Sequence, residues 1–238
     1  MKRVLCTILF LATAATTSLA QFPEVSVRQL QEVPAESLAL ADGITNFGAN
    51  STQPRWTLQV SPYNADTVGV TAQVVVPPGI ITYSAGVWTM LVYDTTANAT
   101  GWGGIFLRAS IADSNQLKVD GFLNVKAGDI IHFVGVVSEF PTSRGTSATQ
   151  IQPVAGHPIT ILGSKPLPKP LVKNIGDFYT GAFSTGTIKF ATGEPLEGMY
   201  VEFHNVTVNN KVSTSRGTFS FVDGAGNEMS DYDWSHYF

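Results

Sequence analysis

Val68, Val70, Ala72, Val74 and Val76 fall on every second position, interleaved with Gly69, Thr71, Gln73 and Val75. That period sends alternate side chains to opposite faces, so residues 66–76 predict a β-strand, and Pro77-Pro78-Gly79 predicts its end. A second strand is predicted over residues 88–94, Trp-Thr-Met-Leu-Val-Tyr-Asp, and a turn-rich bridge over 98–104. Ile105-Phe106-Leu107-Arg108 makes a third strand. Residues 110–124 show little periodicity and predict a connector. Gly128-Asp129 then introduces a long apolar strand over 130–140, with Gly135 at its middle predicting a bulge or sharp bend. Thr149-Gln150-Ile151-Gln152 gives the fifth strand.

Five strands in about ninety residues, with the widest gap between the third and fourth, predict an all-β fold: an OB-fold-like five-stranded Greek-key barrel spanning 62–164. A β-sandwich is the alternative, but it ordinarily uses about seven strands. Ahead of the barrel, residues 21–61 read as a lead-in segment. It has one short strand at Val25-Ser26-Val27-Arg28 and about two helical turns over 34–41, where Pro34 suits a first helical position. Lys165-Pro166-Leu167-Pro168-Lys169-Pro170 reads as a stiff linker. Beyond it, residues 200–208 echo the 68–76 strand and residues 218–223 echo 89–94. Residues 171–238 are therefore expected to form a second, OB-like β module that stops after three strands, incomplete and less well ordered than the first or shielded by another chain.

The first twenty residues have a different character. Lys2 and Arg3 precede an apolar stretch over 4–15, and Ser18-Leu19-Ala20 supplies small residues before Gln21. This layout predicts a secretory signal peptide over 1–20, too short to span a membrane as a helix. The single cysteine, Cys6, lies inside it, so the mature chain is expected to carry no disulfide and no thiolate chemistry. Only 13% of residues are charged, and the net charge is −4. Removing Lys2 and Arg3 makes the remainder more acidic, which argues against strong non-specific attraction to nucleic acid.

Catalytic signatures are absent from the sequence. His132 and His204 fall within apolar strands and read as hydrogen-bonded packing residues. Residues 231–236, Asp-Tyr-Asp-Trp-Ser-His, lack the spacing of a metal loop. No metal, no cofactor and no enzymatic activity are expected. Sequons occur at Asn50, Asn98 and Asn205. The candidate chemistry is a binding face on the second and third strands. With Ile105 and Leu107 inward, Phe106 and Arg108 point outward, flanked by Tyr93 and Trp102, with Trp88 opening the partner strand. Burial of Phe106 and Trp102 under the lead-in segment or the second module is the alternative reading.

Several segments carry a resemblance to a known family: Val25-Ser26-Val27-Arg28-Gln29-Leu30-Gln31-Glu32-Val33-Pro34, Asp66-Thr67-Val68 leading to Pro77-Pro78-Gly79, Gly101-Trp102-Gly103-Gly104-Ile105-Phe106-Leu107-Arg108, and Gly128-Asp129 leading to Glu139-Phe140. Gly193-Glu194-Pro195-Leu196-Glu197-Gly198-Met199-Tyr200-Val201 and Asn205-Val206-Thr207-Val208 extend it to the C-terminal part. The chain resembles the tandem OB-fold modules that accompany secreted bacterial nucleases and recur in exported cell-surface proteins, including type IX secretion cargo. The resemblance implies an exported, non-catalytic OB-fold binding module for single-stranded nucleic acid or another polymer. The alternatives are a carbohydrate-binding, adhesion or structural module of a cell-surface protein, and an accessory fragment of a secreted nuclease. Expected partners are an oligonucleotide or oligosaccharide and a downstream domain of a longer protein, with no membrane contact after signal cleavage.

Overall fold

The computed structural model describes residues 22–44, 55–81, 86–95, 100–141, 145–183, 185–213 and 218–231. Its first part holds strands β1 (Glu24–Val25), β2 (Thr67–Ile81), β3 (Val87–Asp94), β4 (Gly104–Ser110), β5 (Asp129–Glu139), β6 (Thr149–Pro153) and β7 (Thr160–Ser164). β2 pairs antiparallel with both β3 and β5, and β3 pairs antiparallel with β4. β4 runs parallel to β6 through Phe106↔Gln150 and Leu107↔Ile151, and β6 returns antiparallel to β5. The ring β2–β3–β4–β6–β5 therefore closes on itself. This is the expected five-stranded OB-fold barrel, with β1 and β7 added at its edges.

The alternation read from the sequence fills the barrel. Val68, Val70, Val74, Met90, Ile105 and Phe133 are among the side chains packed inside it, each almost or wholly removed from water. Two local expectations for these strands are corrected. Pro77-Pro78 does not end β2, which runs on to Ile81. Its register with β3 shifts between Val74 and Val76 and again before Ile81, so the two residues without an N–H lie in an irregular part of the ladder. Gly135 makes no bulge, because the registers with β2 and β6 run unbroken through it. It is needed for space: a Cβ there would lie 2.1 Å from Cγ2 of Ile151.

The aperiodic connector after β4 proves to be structured. A 3₁₀ turn, helix α3 (Ser114–Val119, the third helix along the chain) and a second 3₁₀ turn place Leu117 and Phe122 in the barrel core. Six residues of helix are too short to reveal a 3.6-residue period. Two helices precede it, α1 (Val27–Gln31) and α2 (Ala35–Gly43). α2 matches the turns expected after Pro34. The short strand expected over 25–28 is cut to β1 at Glu24–Val25, and α1 takes over from Val27, because Ser26 is a helix cap. Its hydroxyl accepts the Gln29 N–H at 3.2 Å, and the Gln29 side chain accepts the Ser26 N–H at 2.8 Å. This reciprocal box turns Val27 and Leu30 onto one buried face, three residues apart.

Residues 165–170 carry no regular structure. Beyond them lie β8 (Leu171–Lys173), β9 (Tyr179–Thr180), β10 (Thr187–Ile188), helix α4 (Phe190–Gly193), β11 (Val201–Phe203), β12 (Thr207–Ser213), β13 (Thr218–Val222) and β14 (Glu228–Ser230). These strands pair only among themselves, as β8 with β11, β9 with β10, and β12–β13–β14. The single strand expected over 200–208 is split at residues 204–206, where Asn205 takes a φ of 54° and turns the chain. Leu196 and Met199 pack with Val75, Leu91 and Tyr93 of the barrel wall, while Phe190 packs with Val33, Leu38 and Ala41. The C-terminal unit is therefore seated on the outer face of β2–β3–β4 and on the lead-in helices. Among the described residues, no helix is long and apolar enough to cross a membrane.

Candidate binding surfaces

Alternation along β4 fixes the candidate face. Ile105, Leu107 and Ala109 enter the barrel, and Phe106 and Arg108 point away from it, as expected. The structure then distributes the five candidate residues among four environments. Tyr93 and Phe106 lie together under the C-terminal unit, against Leu91, Leu196 and Met199. Tyr93 is only 3% exposed, and its phenol oxygen accepts the Tyr200 backbone N–H. Burial drives the Tyr93 hydroxyl pKa up, out of any working range.

Arg108 sits at the rim of that covered patch. Its Nη1 donates to Gln150 Oε1 at 3.1 Å, and its guanidinium lies 5.3 Å from the ring centre of Phe140, a side chain 51% exposed. Burial lowers the Arg108 pKa. Trp88 pairs with Ala109, next to the Thr89–Arg108 pair, but on the inner face of the β3–β4 hairpin. Its Nε1–H donates to Ser114 Oγ at 2.9 Å, and its ring packs against the barrel core. It fastens the connector helix and faces no ligand surface shared with Phe106.

Trp102 lies in the β3–β4 loop with a backbone φ of 62°, a conformation a bulky L-residue rarely adopts. Its N–H donates to the Pro195 carbonyl at 2.5 Å, and its half-buried ring packs beside the Val33–Leu38–Phe190 cluster. There the indole borders an open groove of about 520 Å³, with Val33, Pro34, Leu38, Pro62 and Pro195 along its walls. Glu32 is the charged side chain lining it, and it is tied to Arg28 by an ion pair of 2.9 Å. A second, smaller cleft of about 190 Å³ lies beside α3, with Asp113, Gln116, Asp120 and His157 on its walls. Asp120 is held there by the Gln116 side chain and the Gly156 N–H at 3.0 Å.

A cluster of carboxyl groups underlies the junction between barrel and C-terminal unit. Glu139 accepts from the Ser61 N–H at 2.8 Å, from Thr149 Oγ1–H at 3.0 Å and from the Ser147 hydroxyl. Glu197 accepts from the N–H of that same Thr149 at 2.8 Å. Burial, followed by the neighbouring carboxylates, pushes the carboxyls of Glu194 and Glu197 well above the usual range. Sequence reading missed this cluster because Glu139 lies 55 positions from Glu194 and 58 from Glu197, and no local pattern joins them. Phe140 was legible only as the end of a strand.

Among the described residues no group of three or more His, Cys, Asp and Glu side chains is arranged to hold a metal ion. His132 Nε2 lies 3.1 Å from Glu24, and His204 Nε2 lies 2.6 Å from Glu202. The acidic and histidine run at 231–236 falls outside the described residues except for Asp231.

No protein-family model matches the chain, and no curated protein matches it in sequence. Part of the chain is similar to solved OB-fold structures. A mitochondrial single-stranded DNA-binding protein of S. cerevisiae matches at 8% identity and a TM-score of 0.31, over 42% of this chain and 97% of that one. A small single-stranded DNA-binding protein of Streptomyces coelicolor matches at 16% identity and 0.27, over 41% and 94%. The second OB-fold domain of replication protein A from Methanococcus maripaludis matches at 17% identity and 0.25, over 44% and 91%.

Proposed function

We propose that this chain is an exported, non-catalytic OB-fold module that binds an uncharged polymer, a glycan, in the groove beside Trp102. The observation that carries the reading is Trp102 itself: a half-buried indole, held at a left-handed φ, bordering an open groove. Strained backbone persists where the surroundings enforce it, and such places cluster at ligand sites. An indole can carry a sugar ring by stacking. The groove supplies no cation for a phosphate, since its charged lining residue is Glu32. The face that OB-folds commonly offer to oligonucleotides is meanwhile covered by Leu196 and Met199. Export rests on the leader-like residues 1–20, and N-terminal sequencing of secreted protein should begin at Gln21.

Calorimetric titration with neutral oligosaccharides, repeated with Trp102→Ala, tests the reading. Binding should be nearly independent of salt and lost in the variant. A second reading, oligonucleotide binding, is favoured by one observation, the Arg108 guanidinium over exposed Phe140, a pair able to stack a base. Titration with a single-stranded oligonucleotide separates the two. Affinity that falls steeply with salt, survives Trp102→Ala and is lost with Phe140→Ala would replace the glycan reading with this one.

A further inference from the structure

The closest attachments of the C-terminal unit to the β3–β4 wall lie within residues 194–200, with Leu171, Phe178 and Val201 packed around the same apolar cluster. Leu196 and Met199 supply the apolar contact, Pro195 receives the Trp102 N–H, Gly198 meets Gly104, and the Tyr200 N–H reaches Tyr93. The same turn carries Glu194 and Glu197. We propose that this turn is a pH-governed cover, which stays on the barrel face while Glu194 and Glu197 hold protons and lifts when they lose them.

The geometry gives the reason. Glu139 takes three donors, from Ser61, Ser147 and Thr149, which fix its carboxyl group at the junction. Glu197 shares Thr149 with it, so the two carboxyl groups are held on one residue. What acts on Glu194 is burial together with Glu197 and Glu139. What acts on Glu197 is burial and Glu139, opposed by the Thr149 N–H and the Gln31 side chain. Among the described residues no cation contributes to either. Arg108 is engaged with Gln150 and Phe140, while Arg55 lies over the Phe190 ring at 4.8 Å with Asp42 as its charged neighbour. Negative charge on both Glu194 and Glu197, half-buried beside Glu139, is relieved by moving toward water, and that movement carries the turn off the wall. Tyr93, Leu91 and Phe106 are then uncovered. Pro195 belongs to both the turn and the Trp102 groove, but the cover does not depend on what that groove binds.

Hydrogen exchange by mass spectrometry on the full chain, corrected for the intrinsic pH dependence of exchange, tests this. Between about pH 6 and pH 9.5, protection over Trp102 and residues 196–201, whose amides bond within the turn or across to the wall, should fall about tenfold or more. β5 and β6 should keep theirs, and the Glu194→Gln/Glu197→Gln chain should show no such fall. Unchanged protection in the parent chain overturns the proposal. So does an equal fall in the double variant, or a loss that spreads through the barrel. Should the double variant not fold, each single variant should show a smaller fall than the parent, and a fall unaltered in both overturns it equally.

Discussion

Gly104 and Gly198 lie so close that neither has room for a side chain. A Cβ on Gly104 would sit 2.0 Å from the Gly198 carbonyl oxygen, and one on Gly198 would sit 2.8 Å from that of Gly104. Gly198 also has a φ of 64°, in the left-handed region. Gly104 begins β4 and Gly198 lies in the turn that seats the C-terminal unit. Gly104→Ala should therefore unseat that unit and lower stability by about 1–3 kcal/mol, the usual cost of overpacking. Urea unfolding measures it, and an unchanged midpoint would show that the close approach is not required.

Tyr93→Phe keeps the ring and removes the acceptor for the Tyr200 N–H. The loss should be about 1 kcal/mol, rising toward about 3 kcal/mol if the amide finds no water. Thermal unfolding of the variant reads it directly. A variant as stable as the parent would mean that apolar contact alone holds residue 200 in place.

The barrel was legible because its strands have a buried and a covered face, and period-two alternation records that division in Val68, Val70 and Ala72. What stayed hidden depends on pairs far apart in the chain. Ser26 looks like one more residue of an alternating run until the Gln29 side chain is seen to close the box. Phe106 and Arg108 were placed correctly as outward residues. Burial of Phe106 under the second module is an alternative the sequence offers, yet nothing local to β4 names Leu196 and Met199, some ninety positions on, as its cover or leaves Arg108 at the rim. Trp88 and Trp102 read alike in sequence, yet one is drawn to Ser114 and the other to Pro195.

Substituting the two outward residues of β4 should separate these environments. Phe106→Ala removes a ring packed under the C-terminal unit and should cost about 1–3 kcal/mol. Arg108→Ala removes one hydrogen bond and one stacked guanidinium, and it should cost about 1 kcal/mol or less. Chemical unfolding of both variants checks the order. Equal losses would mean that Arg108 is as much a packing element as Phe106.

Stability should depend on pH in the direction set by Glu194 and Glu197. Their folded-state pKa values lie above the ordinary glutamate value of 4.5. Below that value both folded and unfolded chains are protonated there, and the contribution is fully present. As pH rises, the unfolded chain ionises first, so the contribution is lost progressively until the folded-state values are passed. Unfolding free energy measured at about pH 5 and about pH 8.5 should be lower at the higher pH, with a smaller difference in Glu197→Gln. A parent chain that gains stability over this interval would contradict the assignment.

The separation of the strands into a closed barrel and an independently paired C-terminal group has a mechanical consequence. No strand pairing crosses between the two among the described residues. Extracting β2 from the barrel requires shearing its ladders with β3 and β5 at once, whereas peeling away residues 171–231 breaks apolar contacts and scattered single hydrogen bonds. Detaching the C-terminal group therefore opens the Gly104–Gly198 seam without breaking a barrel ladder. The barrel stays closed and exposes the face of Tyr93 and Phe106 before any of its own strands part.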